Sequence, residues 1–174
     1  VQVGNRGMRQ LLGEGRPLPA ALRAEHERSF GVDLGAVRLH DHADAHRLAQ
    51  AQQAQAFTLG RDIVFNDGFY RPGTLAGRHL LAHELAHVVQ QTAGSDAAGR
   101  GASGPQHEAA AEAAARAVTA GVSGPLSAGP AAAPGIQRQP LATNDLLPGT
   151  YASSQSGTTT FYVRGVAILR FPTE

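Results

Sequence analysis

His83-Glu84-Leu85-Ala86-His87 is the stretch of this chain whose residue types and spacing carry chemistry. On a helix, residues four apart are rotated by about 400° and displaced by roughly 6 Å, so both imidazoles leave one face. Two ring nitrogens so placed can hold one divalent cation at about 2.0–2.1 Å each. Glu84 follows the first histidine directly and can take a proton from an attacking water beside that cation. The chemistry implied is metal-assisted hydrolysis, with His83 and His87 as ligands and Glu84 as general base.

With 8 His and 7 Glu in 174 residues, random placement gives about 0.015 matches to this pattern. The context is helical as well. Pro72-Gly73-Thr74 offers a turn and an N-cap, and Leu75, Leu81, Leu85, Val88 and Val89 recur at helical spacing. Gly94 is the expected stop. The competing reading is a buried helix that carries two histidines by chance. It is disfavoured because two imidazoles and a carboxylate are costly to bury unless a ligand satisfies them.

A catalytic metal site needs a third protein ligand and an open position. The metzincin continuation is excluded, because Gln90 and Ala93 stand where its glycine and third histidine would be. The next helix carries Glu108 and Glu112, four apart on one face. That spacing is similar to the gluzincin pattern, in which a glutamate on a later helix is the third ligand. A carboxylate four residues on then orients the first histidine. By that resemblance Glu108 is the third ligand and Glu112, one methylene longer than the usual Asp, orients His83. His107 and Asp96 remain alternative ligands. Two solvated carboxylates with Arg116 extending an i,i+4 ladder is the competing reading. Tyr70, His79, His107, Tyr151 and Tyr162 are candidates for stabilising an oxyanion or lining the cleft, and the sequence does not choose among them. His40, His42 and His46 read as exposed polar residues at a helix start, and His26 as exposed.

Composition limits the alternatives. Lys+Arg is 15 against 14 acidic residues, a net charge of +1, so neither nucleic acid nor an anionic membrane is expected as partner. Cysteine is absent, which removes disulfides, thiolate ligands and a cysteine nucleophile. There is no run of 18 apolar residues and no signal peptide at the start. A first residue other than Met suggests a fragment.

The elements that must position the site follow from pattern. Residues 1–16 read as a loose leader, and Pro17 to Phe30 as a helix ended by Gly31. Val37–His40 reads as a short strand, and Ala43 to Ala54 as a helix capped by Asp41. Ala56–Leu59 and Asp62–Phe65 form an expected hairpin turning at Gly60-Arg61. Gln106 to Val118 is the best intrinsic helix. Residues 121–140, rich in Gly, Pro and Ala, read as an extended linker. From 141 to 174 the chain is β-rich, with runs at Thr158–Val163 and Val166–Arg170 meeting at Arg164-Gly165. The expected organisation is a 1–16 leader, a 17–120 domain, a 121–140 linker and a 141–174 tail, or the start of a downstream module. The expected fold class is α+β, helices with a short β-sheet plus the β-rich C-terminal tail.

Val37-Arg38-Leu39-His40, the phrase AFTLGRDIVF at 56–65 and LLAHELAHVVQQ at 80–91 together resemble the eCIS core domain. That is the metallopeptidase-type domain of bacterial proteins linked to extracellular contractile injection systems and polymorphic toxins. The resemblance implies a small zincin-like fold that binds Zn2+ and sits upstream of linkers and variable cargo. It implies that Asp62, Ile63, Val64 and Phe65 form the edge strand that pairs with an extended substrate. It also implies a bacterial protein, cytoplasmic until it is exported or loaded into an injection apparatus. Two functions compete. One is a gluzincin-type zinc endopeptidase whose peptide substrate is its own linker or downstream module. The other is a non-catalytic docking or loading domain, with injection-system components as partners and a structural or vestigial zinc site.

Overall fold

A computed structural model of the chain describes residues 5–96, 105–122, 124–129, 136–140, 150–155, 158–163 and 166–172. Two compact units divide after Gln139. The first holds α1 (Asn5–Leu12), β1 (Arg16–Pro17), α2 (Ala20–Phe30), β2 (Arg38–His40), α3 (Ala43–Ala51), β3 (Ala54–Leu59), β4 (Asp62–Phe65), α4 (Leu75–Asp96), α5 (Pro105–Thr119) and β5 (Ile136–Pro140), whose last residue lies past the division. The fold is α+β, as the patterning predicts.

The sheet of the first unit runs β1-β2-β4-β3-β5. β3 and β4 are the expected hairpin, antiparallel with Thr58 opposite Ile63. β2 joins β4 in parallel, with Leu39 opposite Ile63, the connection running through α3 and β3. Both edges of β4 are therefore hydrogen-bonded, so Asp62, Ile63, Val64 and Phe65 are not a free substrate edge. That expectation is overturned by the three-residue strand β2.

Alternation along the strands feeds two apolar layers. Leu39, Ala56, Ile63 and Phe65 pack with Leu81, Leu85 and Val88 of α4 and Ala111, Ala115 and Val118 of α5. Phe57, Leu59 and Val64 face the other way, onto Met8 and Leu12 of α1 and Ala45 and Ala49 of α3. β3 is buried on both faces, so its sequence lacks a solvated polar face and its two polar residues, Gln55 and Thr58, are buried as well.

Helix α4 lies at the centre. Thr74 Oγ1 accepts from the Gly77 N–H at 3.0 Å and caps its start. A Cβ on Gly77 would stand 2.0 Å from the Arg71 carbonyl oxygen, so this close approach requires glycine. The helix runs through Gly94 to Asp96. One glycine costs about 1 kcal/mol in a helix, too little to end one whose earlier turns are packed. The hairpin tip is pinned to α4 by the Gly60 N–H, which donates to Gln91 Oε1 at 2.6 Å.

Other boundaries differ from expectation for local reasons. Pro17 belongs to a strand and α2 begins at Ala20, because Leu18 precedes Pro19 and is pushed out of the helical region. His42 takes the N-cap of α3 without a side-chain bond, while Asp41 bonds His46 at 3.0 Å and Arg16 at 3.3 Å. The leader is not loose: α1 buries Met8 and Leu12, spaced i,i+4, to 2 % and 3 % exposure. His40 and His26 are buried rather than exposed. His40 bonds Asp62 at 2.9 Å and the Leu12 carbonyl at 3.2 Å. Part of the 121–140 stretch is docked, with the Leu126 N–H donating to the Ser29 carbonyl at 2.6 Å and Ala128 buried.

The second unit is an antiparallel meander of β6 (Thr150–Gln155), β7 (Thr158–Val163) and β8 (Val166–Pro172). It contains both β runs expected in the tail and adds β6. The expected turn at Arg164-Gly165 lies outside the described residues.

Docking of α1 makes a prediction. Met8→Ala should lower the unfolding free energy by about 2–5 kcal/mol, whereas Leu11→Ala, at a half-exposed neighbour, should change it by less than about 0.5 kcal/mol. Equal urea midpoints for the two variants would show that α1 is not part of the core.

Candidate metal centre

The local sequence builds the site from two helices. His83 and His87 lie one turn apart on α4, and Glu108 lies in the first turn of α5. The α4–α5 packing brings His83, His87 and Glu108 together, with one ligand atom from each within 4.8 Å of the others. His83 Nε2 and His87 Nε2 are 3.1 Å apart. Glu108 Oε1 is 2.8 Å from the first and Oε2 is 3.4 Å from the second. Two nitrogens bound at about 2.0–2.1 Å in a tetrahedral set lie about 3.3 Å apart. The observed spacing therefore fits a shared cation.

The charges agree. Burial pushes the Glu108 carboxyl up, but hydrogen bonds from His83 and His87 outweigh it and bring its pKa to about 2. Burial pulls the His87 imidazole down, yet Glu108, Glu84 and Gln90 together raise it above its ordinary value. An ionised Glu108 carboxylate thus faces the two imidazoles, an arrangement that favours a cation between them.

Glu84 is fully buried. Thr58 Oγ1 on β3 lies 2.7 Å from its Oε2 and 3.1 Å from its carbonyl oxygen, with one hydroxyl hydrogen to share between them. Glu84 Oε1 has no hydrogen-bond partner among the described residues. Burial raises its pKa, against the pull of His83, His87 and the Thr58 bond. A carboxylate held by one oxygen, with raised basicity, is suited to accept a proton on the other.

Glu112 lies beside the site but does not bond His83. Its Oε2 is 3.6 Å from His83 Nδ1, beyond hydrogen-bond length, and 3.0 Å from His79 Nε2. Its Oε1 accepts from Arg116 at 2.8 Å. His79 thus engages Glu112. Tyr70 packs against Phe65 with ring centroids 5.1 Å apart, and the Arg16 guanidinium lies 4.5 Å from its ring centroid. Tyr151 and Tyr162 are opposite each other in β6 and β7 of the second unit, and their side chains lie outside the described residues. His107 is buried and is not in the ligand cluster. The Asp96 side chain lies outside the described residues.

Two residues that serve the site were not singled out from sequence. Thr58 holds Glu84, and Gln90 holds His87, its Oε1 lying 2.8 Å from His87 Nδ1. Both stand inside the distinctive phrases AFTLGRDIVF and LLAHELAHVVQQ, the one available signal.

These features define an α+β domain in which His83 and His87 of the central helix and Glu108 of α5 stand close enough together to hold a metal ion. Residues 17–95 match the model of the eCIS core domain, and this part of the chain is an eCIS core domain, associated with contractile injection systems. Comparison with curated proteins and with solved structures gives no match. Among the described residues no helix is long and apolar enough to cross a membrane.

Metal affinity should follow ligand protonation. Imidazoles bind in the neutral form, so affinity for a divalent metal such as zinc should fall as the pH drops below the raised His87 pKa, by about tenfold per pH unit from that imidazole. Glu108, at about 2, stays ionised through this range. Chelator competition between pH 8 and 5 checks this, and a pH-independent affinity would contradict ligation by the two histidines.

Proposed function

We propose that the protein is a zinc-dependent endopeptidase of gluzincin type that cleaves its own chain beyond the core domain to release a downstream module. The observation that carries this reading is the convergence of His83 Nε2, His87 Nε2 and the Glu108 carboxylate beside a buried carboxylate with one unpartnered oxygen, Glu84 Oε1. Zinc, when bound, supplies Lewis-acid polarisation of the scissile carbonyl. Glu84 takes the proton from the attacking water at Oε1 and passes it to the leaving amine, while Thr58 keeps Oε2 in place. Glu112 sets the electrostatics behind His83, clamped by His79 and Arg116. A substrate tethered to the same chain is at high effective concentration, which favours cleavage in cis.

A second reading is a docking or loading domain for an injection apparatus, with a structural zinc. It is favoured by burial: His83, Glu84 and His87 are 2 %, 0 % and 0 % exposed, leaving Glu108 as the half-exposed member of the site.

Glu84→Gln separates the readings. The amide preserves shape and the bond from Thr58 but cannot take the proton. Zinc content should be unchanged, while self-cleavage, followed by mass spectrometry of the full chain, should slow by about 10²–10⁴-fold. Equal cleavage in the variant would remove the peptidase reading. A zinc-loaded wild-type chain that leaves itself and a peptide library intact would favour docking.

A further inference from the structure

Gln90 is 1 % exposed and stands one helical turn beyond His87. Its Nε2 lies 2.8 Å from the His107 carbonyl oxygen and 2.5 Å from the Ala128 carbonyl oxygen. Both are acceptors only, so the amide nitrogen must face them, and Oε1 must face His87 Nδ1. An amide oxygen requires a donor, which places the hydrogen of His87 on Nδ1. In the neutral ring Nε2 then carries the free lone pair, directed toward His83 Nε2 and Glu108. One buried side chain thus selects the ligating form of the imidazole and fastens it to two other parts of the chain.

One of those parts is the segment 124–129, which follows α5. Leu126 is bonded to Ser29 of α2, Ala128 is buried, and Gly129 takes φ +89°. A Cβ at Gly129 would lie 2.4 Å from the Ala110 Cβ of α5. The segment is a strap across α2 and α5 that ends on Gln90.

We propose that Gln90 is a positioning residue coupling His87 to this strap, so that metal binding and strap docking reinforce each other. The proposal rests on the metal reading of His83, His87 and Glu108. Coupling of this kind is reciprocal: whatever the docked strap adds to metal affinity, the bound metal adds to strap docking. The strap leads into the rest of the chain, so metal loading would govern how firmly the chain beyond α5 is held.

The test uses the full chain, zinc, and two variants. Gln90→Leu removes both functions of the amide. Gly129→Val strains the strap at a positive φ and crowds Ala110 without touching a ligand. Zinc affinity by chelator competition should fall about 10–100-fold in Gln90→Leu and by a smaller factor in Gly129→Val. In the wild-type chain, zinc should slow hydrogen exchange at the Leu126 amide, and this slowing should vanish in Gln90→Leu. If Gln90→Leu does not fold, Gly129→Val decides alone. Wild-type zinc affinity in the folded variants overturns the coupling and leaves the metal reading standing. A wild-type chain that binds no zinc overturns both.

Discussion

Burial of polar side chains on the central helix is the constraint on which the rest of the structure depends. His83, Glu84, His87 and Gln90 are each at most 2 % exposed, on a helix packed between a sheet and a second helix. A buried polar group without a partner costs on the order of 1–3 kcal/mol, and a buried charge more. Each neighbouring element therefore presents a partner: β3 brings Thr58 to Glu84, α5 brings Glu108 to both imidazoles, and the strap brings the Ala128 carbonyl to Gln90. The apolar layers around them are ordinary. What is specific to this fold is the delivery of those partners to the middle turns of one helix.

The polar groups do not cancel, and the imbalance is informative. Glu108 is held ionised, His87 is biased toward its charged form, and His83 Nδ1 has no hydrogen-bond partner among the described residues. Glu84 is pulled the opposite way, toward its neutral form, by burial. A cation between the two Nε2 atoms and Glu108 would satisfy the ligands without needing protons on them. Glu84, one step along the helix, would retain the raised basicity that proton transfer requires. Environment separates the roles of two carboxylates that composition alone cannot tell apart.

Much of this was legible in the sequence, for reasons tied to local periodicity. The His83/His87 pair needs only the helical repeat, and the β3–β4 hairpin needs only apolar runs around Gly60-Arg61. Glu108 was approached by analogy with a spacing pattern, with His107 and Asp96 left open, and helix packing brings Glu108 beside the two imidazoles. Apart from the helix boundaries, the misreadings share a cause, which is pairing over long sequence separation. β4 is interior because a three-residue strand, β2, pairs with it across an intervening helix, a signal too short to read. α1 docks through two side chains, Met8 and Leu12, on a helix whose third large apolar residue, Leu11, is exposed. Thr58 meets Glu84 across 26 residues, and Gln90 meets Ala128 across 38, so neither role has a local signature. The strap was read as linker because glycine and proline favour extended chain. Its docking comes from backbone groups, which composition does not reveal.

Anomalous scattering at the zinc edge, from crystals of the zinc-loaded full chain, tests the central claim most directly. The account predicts one peak bonded to His83 Nε2, His87 Nε2 and the Glu108 carboxylate at about 2.0–2.2 Å. A map without density between these three side chains, or with zinc held elsewhere in the chain, would contradict it.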